Sequence, residues 1–372
     1  KIQFSRVVQI SSGDEIRSNV LEPKAEALPN YIDRPSAWVG SELAIQPDQW
    51  LYTLADEDVA DLEQAASHYL DSGRDIGEMT KSDFPLDHFG HHLAKLREKL
   101  LQGIGVEVIR GLPTDGYSQK TAAAIFCGIG AHLGSARSQN AGGHILGHVR
   151  DIGADVSDPN ARIYQTSARQ TFHTDSTDVV GLLCLKSARS GGQSLLVSAE
   201  TLFNEMQRKR PDLVPQMFDI VATDRRGEIP PGEKAYFEIP VLSWYQELLT
   251  VQYQRQYIDS AQRFSDAPKL TNEQIEALDY FDALANDPEL HMVMQLQPGD
   301  MQFVYNHSQL HDREAFVDWP EPESRRHLLR LWLSLEGDRP LPICFQSRYG
   351  SVKPGNRGGI ITEQTHLHAP LD

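Results

Sequence analysis

The sequence predicts a mainly β protein, a sandwich or barrel wrapped by helices, and three observations lead there. From Ile145 onward the chain breaks into short apolar runs separated by turns, such as "ILGHVRDIG", "VVGLLCLKSA" and "QSLLVSA". The texture returns in "YFEIPVLSWY", "LLTVQYQRQYI", "HMVMQLQPGDMQFVYN" and "HLLRLWLSL". Helical periodicity is confined to a few stretches and does not alternate with every strand, which argues against a parallel doubly wound sheet.

The elements follow in order. Residues 1–45 read as an irregular N-terminal extension broken by Pro23, Pro29 and Pro35, with Trp38 packing its end onto a single catalytic domain over 46–372. Residues 56–73 carry Val59, Leu62, Ala66, Tyr69 and Leu70 at helical spacing, acidic residues in the first turn and Gly73 at the end. A second amphipathic helix over 91–105 feeds the alternating strand 106–112, and a third helix spans 118–134. "ARIYQTS" and the runs quoted above are expected strands, interrupted by helices at 198–219 (capped by Ser198) and 271–286.

Composition narrows the function. A chain of 372 residues with 40% hydrophobic content is long enough for a large buried core. A net charge of −17 argues against nucleic acid or an anionic membrane as partner, since both need clustered cations. Cys127, Cys184 and Cys344 are odd in number and set in apolar runs, as reduced core residues are. No apolar run approaches the roughly 18 residues that span a bilayer. The first residue is Lys1, which leaves a trimmed targeting segment open; cytoplasm is the default location.

Chemistry first shows in "QTFHTDSTDVV" (170–180), where His173 and Asp175 flank one residue. A chain with fourteen histidines should show roughly one His-x-Asp by chance, so the pair needs a third ligand. Two histidines and a carboxylate on one face, with open coordination positions, mark the non-haem Fe(II) oxygenases. The downstream candidates are His291, His307, His311 and His327. His327 alternates with Arg326, Leu328, Arg330 and Trp332, so it faces away if the arginines face a pocket. His307 and His311 lie too close in sequence for composition to choose between them. Asp178 reads as a solvated turn carboxylate, "NAGGH" (140–144) as a lid without the lysine of a phosphate loop, Tyr164 and Gln165 as candidate substrate contacts, and His366 and His368 as surface residues.

The order "HTD", "SGGQS" (190–194), "NHSQLH" (306–311), "RRHLLR" (325–330) resembles the TauD/TfdA family of Fe(II)/2-oxoglutarate-dependent oxygenases over roughly residues 90 to 335. The resemblance implies a double-stranded β-helix, or jelly roll, with its core at about 145–345. Asn306, five positions before His311, matches the family pattern and selects His311 over His307. His173, Asp175 and His311 are then the implied iron ligands. Ser194 and Arg326 are the implied holders of the far carboxylate of 2-oxoglutarate, the cosubstrate consumed with O2. The interval from His311 to Arg326 is longer than in the family's bacterial members; the insert "FVDWPEPES" (316–324) makes a longer loop there.

Arginine suits that task because its planar fork grips a carboxylate through two bonds. Arg330, four residues on, matches the arginine that grips the substrate's anionic group in taurine-using members. It implies a small-molecule amino acid or carboxylate substrate. Ile343 and Phe345, two apart in "LPICF", would give that substrate an apolar wall if extended. In this respect the chain resembles the valine-oxidising, aziridine-forming oxygenases of fungal amino-acid metabolism. Such an enzyme removes hydrogen from C3 of L-valine, and the substrate's own amine captures that carbon, with hydroxylation as the competing outcome. Hydroxylation of another small anionic substrate, a zinc hydrolase and a silent jelly-roll binding module are the alternatives, and self-association is left open.

Overall fold

The computed structural model describes residues 27–155, 158, 162–360 and 365–371. Its frame is a double-stranded β-helix made of two facing sheets. The larger sheet runs in the order Leu51–Thr53, Val106–Arg110, Met301–Tyr305, Val179–Lys186, His327–Ser334 and Ser135–Ala136, with Leu146–Val149 also paired to His327–Ser334. The smaller has four strands in the order His291–Met294, Ser194–Ser198, Gln309–Arg313 and Gln170–His173. From residue 170 the core strands cross repeatedly from one sheet to the other, and their pairings are antiparallel.

The period of two decides what each face touches. Leu196 points between the sheets with Val106, Val180, Met292, Val304, Leu328 and Trp332. Its neighbours Leu195 and Val197 point outward, under the helices Ala199–Lys209 and Asn272–Ala285. Leu329, Leu331 and Leu333 likewise turn to the outer face of the large sheet. That face is covered by the helices Asp56–Asp71, Gly90–Gln102 and Gln119–Leu133. Both outer faces are sealed, so the open ends of the two-sheet layer are where a site can form. Among the described residues no helix is long and apolar enough to cross a membrane.

The helices expected near 56–73, 91–105, 118–134 and 271–286 lie within two residues of those bounds at most ends. Four segments differ. The helix expected over 198–219 breaks at Arg210, because Pro211 disfavours helical backbone in the residue before it, and resumes as Val214–Met217. "ARIYQTS" is not a strand but a 3-10 turn, Ile163–Gln165. The strand beginning at Leu248 stops at Val251, and Arg255–Ala261 is helical, with Arg255 paired to Asp259 one turn on. The fourth is "LPICF": Pro342 starts a 3-10 turn, Ile343–Phe345, and the extended pair expected at Ile343 and Phe345 does not form. Ile343 is 64% exposed, while Phe345 is buried among Phe237, Ile239, Leu341 and Tyr349, so neither lines the pocket.

The described part of the N-terminal segment is fixed to the domain. The backbone N–H of Ile32 donates to Asn204 Oδ1 at 2.8 Å, Asn204 Nδ2 donates back to the Ile32 carbonyl at 2.9 Å, and buried Trp38 donates to the Ile104 carbonyl. The "NAGGH" stretch, expected as a lid, is a turn fastened by the C-terminal segment. The N–H of His368 donates to the Gly143 carbonyl at 3.1 Å, and that of Ile145 to the His368 carbonyl at 3.0 Å. His366 is exposed and His368 half-buried.

Candidate active site

His173 ends the strand Gln170–His173 directly opposite His311 on Gln309–Arg313, which sets the two imidazole centroids 4.2 Å apart. Beyond His173 the chain turns into the large sheet, and backbone bonds fix that turn. The Thr174 N–H donates to the Tyr253 carbonyl at 2.8 Å, and the Asp175 N–H to Asn306 Oδ1 at 3.1 Å. Asp175 therefore leans over the two rings, with Oδ2 3.8 Å from His311 Nε2. One atom from each of His173, Asp175 and His311 lies within 4.8 Å of the others.

Protonation suits a cation. His173 Nδ1 lies 2.8 Å from the Thr171 carbonyl, which can only accept, so the proton sits on Nδ1 and Nε2 keeps its lone pair. Desolvation pushes His311 down to about 3, helped by His173 beside it, and burial lowers His173 too, so both rings are neutral. Burial alone would raise Asp175, but Arg330, His311 and His173 outweigh it and hold the carboxyl low. Two neutral imidazoles and one carboxylate, with His173 and Asp175 buried and His311 partly exposed, converge as Fe(II) ligands do, with positions left for cosubstrate and oxygen.

Trp332 Nε1 donates to Asp175 Oδ2 at 2.9 Å, which fixes the orientation of the carboxylate. Trp332→Phe should weaken Fe(II) binding roughly 10- to 100-fold, the usual penalty for losing a bond that orients a ligand. Anaerobic iron titration checks this, and an unchanged affinity would mean the bond does not orient Asp175.

A second group, Asp178, His307 and Asp338, also converges within 4.8 Å. Here a cation is already built in. Arg357 donates from Nε to Asp178 Oδ1 and from Nη2 to Asp338 Oδ2, both at 2.7 Å. His307 Nε2 lies 2.8 Å from Asp178 Oδ1, and Ser334 Oγ and the Leu335 N–H donate to Oδ2. Asp178, expected as a solvated turn carboxylate, is fully buried and bonded on both oxygens. It pins the end of the metal turn to the strand His327–Ser334.

Next to the ligands a cavity is lined by Val180, Leu182, Ser194, Gln302, Arg313 and Arg326. Ser194 arrives through Gly191 and Gly192, both with positive φ; a Cβ on Gly191 would sit 2.3 Å from the Ala315 carbonyl oxygen. Arg326 lies over the Phe316 ring at 5.1 Å, with its Nη1 buried and without a hydrogen-bond partner. Desolvation pushes this guanidinium down to about 10. A buried guanidinium with an unmet donor, across from a serine hydroxyl, fits the far carboxylate of 2-oxoglutarate. Arg313, which the sequence did not single out, flanks Phe316 as well, but it is bonded to the carbonyls of Thr166 and Ala168.

Arg330 borders both this cavity and a second pocket, lined by His173, Asp175, Tyr164, Gln254, Phe237, Trp332 and Arg348 among others. It is held between the rings of Tyr164 and Trp332 at 4.6 and 5.0 Å. Its Nε donates to Gln139 Oε1 at 2.7 Å, and Nη1 is 3.6 Å from Asp175 Oδ2. His327 lies on the other side of the strand, bonded to His148. Of the two residues singled out before the ligand motif, Tyr164 lines the pocket and Gln165 does not.

A double-stranded β-helix with two imidazoles and a carboxylate meeting at one open end defines the class of non-haem iron oxygenases. The chain belongs to the TauD/TfdA family: residues 70–332 match the family described as taurine catabolism dioxygenase TauD, TfdA family. It is a non-haem Fe(II)/2-oxoglutarate-dependent dioxygenase, with Fe(II), 2-oxoglutarate and O2 as cofactor and cosubstrates. It is 32% identical to the FR-33289 synthase of Streptomyces rubellomurinus, over 88% of this chain and 97% of that one. It is 30% identical to a taurine hydroxylase-like protein of Stachybotrys chartarum, over 82% and 80%. Among solved structures it is similar to asparagine oxygenase in complex with Fe(II), 2S,3S-3-hydroxyasparagine and succinate, with a TM-score of 0.61 at 17% identity, covering 76% of this chain and 93% of that one. The non-heme iron oxygenase OrfP with Fe and alpha-ketoglutaric acid gives 0.57 at 14%, over 76% and 93%. The family sets aside the zinc hydrolase and the silent binding module.

Proposed function

We propose that the protein oxidises a C–H bond of a small α-amino acid, with L-valine as substrate and an aziridine carboxylate as product. His173, Asp175 and His311 hold Fe(II), and Arg326 with Ser194 holds the far end of 2-oxoglutarate. The observation that carries this reading is the pocket on the other side of Arg330. It joins two of the iron ligands to guanidinium groups and to the Phe237 and Trp332 rings, so one small space offers cations to an acid group and aromatic faces to an aliphatic side chain. Phe237 supplies the apolar wall that the sequence placed at Ile343 and Phe345. The asparagine oxygenase complex with hydroxyasparagine and an OrfP complex with (3S)-hydroxy-L-Arg support an amino acid in this fold.

Iron, 2-oxoglutarate and O2 supply the oxidising power when bound, with succinate and CO2 as by-products. The chain's own residues bind, orient and keep water out. Tyr164 and Trp332 hold Arg330 flat against Asp175, and the cavity holding 2-oxoglutarate is closed on the apolar side by Val180, Leu182 and Leu328. Ring closure removes one hydrogen from C3 and one from the amine and forms the C3–N bond, with the two hydrogens leaving as water. Hydroxylation instead adds one oxygen atom at C3.

An anaerobic screen of amino acids against enzyme loaded with Fe(II) and 2-oxoglutarate tests the substrate class. L-Valine should perturb the metal-to-cosubstrate absorbance, and the aerobic product should have lost two hydrogens by mass. A gain of oxygen would replace ring closure by hydroxylation, and silence towards every amino acid would overturn the substrate class.

A further inference from the structure

Among the described residues, Arg348 is the arginine of this pocket with no carboxylate within ion-pair distance. It follows the last core strand, in the short helix Gln346–Tyr349, and the chain beyond it is sewn to the metal turn. The Gly358 N–H donates to the Tyr349 carbonyl and the Gly359 N–H to the Ser176 carbonyl, both at 2.9 Å. Gly358 has φ +77, and a Cβ there would stand 2.7 Å from the Ser176 carbonyl oxygen, so the close approach requires glycine. Arg348 Nε donates to Ser176 Oγ at 2.7 Å, which fixes the guanidinium one residue from the ligand Asp175.

The other arginines lining the pocket are committed. Arg162 pairs with Glu228. Arg225 pairs with Glu233 at 3.3 Å and donates to the carbonyls of Lys234 and Ser347. Arg330 bonds Gln139 and faces Asp175. Arg348 has the Ser176 hydroxyl, and among the described residues no carboxylate stands within ion-pair distance of it. Desolvation and the neighbouring Arg162 and Arg225 push it down to about 10, with Glu228 pulling the other way.

The same pocket holds an unmet acceptor. Gln254 is buried, its Oε1 has no partner, and its backbone bridges to His173. A guanidinium fork and a lone amide oxygen in one small pocket are complementary to the two charged ends of a zwitterion.

Taking the amino-acid substrate above as given, we propose that Arg348 anchors the substrate's α-carboxylate and Gln254 Oε1 receives its ammonium group. Arg330, which sequence similarity alone puts forward as the acid anchor, then serves to orient Asp175 and wall off the cosubstrate.

The test is calorimetric binding of L-valine and L-valinamide to anaerobic enzyme carrying Fe(II) and 2-oxoglutarate. Wild type should prefer the acid, and Arg348→Gln should lose roughly 100-fold in valine affinity, the scale of a buried charge pair, with the preference gone. The metal-to-cosubstrate band should stay, showing that fold, iron and 2-oxoglutarate are intact. Gln254→Leu should lose discrimination between L-valine and 3-methylbutanoate, which lacks the amine. If Arg348→Gln loses the band, Arg348→Lys carries the comparison and must bind valine more weakly with the band intact; loss of the band in both makes Arg348 structural and overturns the assignment. An unchanged preference for the acid in Arg348→Gln also overturns it, the more so if the preference vanishes in Arg330→Gln. A wild type blind to every amino acid overturns the substrate class and this assignment together, whereas a responsive wild type with an unaffected variant overturns only the latter.

Discussion

His311→Ala should yield a folded protein that binds no Fe(II) and has no turnover, whereas His307→Ala should keep its iron and lose stability. The two rings are four residues apart, His307 fully enclosed and His311 partly exposed, and they answer to different surroundings. His311 faces His173 and Asp175 across the sheet, where three donor atoms converge with no cation of the protein's own at their centre. Deleting it removes one of three ligands and a neutral ring, so the metal-free fold loses little beyond packing. His307 is hydrogen-bonded to Asp178 inside a cluster already neutralised by Arg357. Deleting it leaves a buried carboxylate under-compensated, a loss of about 3 kcal/mol. Iron content by titration and thermal unfolding of the metal-free proteins separate the two effects. Loss of iron from His307→Ala with retention in His311→Ala would reverse the ligand choice.

Arg326→Ala should raise the KM for 2-oxoglutarate by roughly 100- to 1,000-fold, with a far smaller change in kcat at saturating cosubstrate. The guanidinium is buried, holds one nitrogen without a partner, and lies on the same cavity as Ser194. Arg326→Lys should recover part of the loss, because a point charge replaces the fork without its second bond. Added guanidinium should rescue Arg326→Ala but not the wild type. An unchanged cosubstrate requirement would move the anchor to Arg330, which touches both cavities.

Local sequence was enough where chemistry and periodicity coincide. The alternation of "RRHLLRLW" put Arg326, Arg330 and Trp332 on one face and His327 on the other, and strand geometry alone carries that. His173 and Asp175 were visible as a pair, but the choice between His307 and His311 came from the resemblance to a family, since both sit beside the same turn. Asp178 departs from its local sequence: "DSTD" has the look of an exposed turn, but the partners that bury it, His307, Ser334, Leu335 and Arg357, are 129 to 179 residues away. Ile343 and Phe345 were given strand alternation that Pro342 prevents. Arg162, Arg225 and Arg348 left no local signal at all. Their meaning lies in which carboxylates stand beside them, and that depends on how three distant loops meet.

The two cavities on either side of Arg330 are built from different material. The cosubstrate side stands on hydrogen-bonded strands: Ser194 opens one, Gln302 lies within another, and Arg326 leads into a third. A shift of one residue in any of them would turn its whole set of side chains to the wrong face. The far wall is set by Gln254 just past a strand end and Arg348 on a four-residue helix, with Tyr164 on a short turn bordering both cavities. Such segments tolerate insertion and exchange that a ladder does not. The oxidising end of the molecule therefore rests on a stiffer scaffold than the far wall that meets the substrate, and a new specificity can be cut into that wall wherever it is not tied to the turn carrying Asp175.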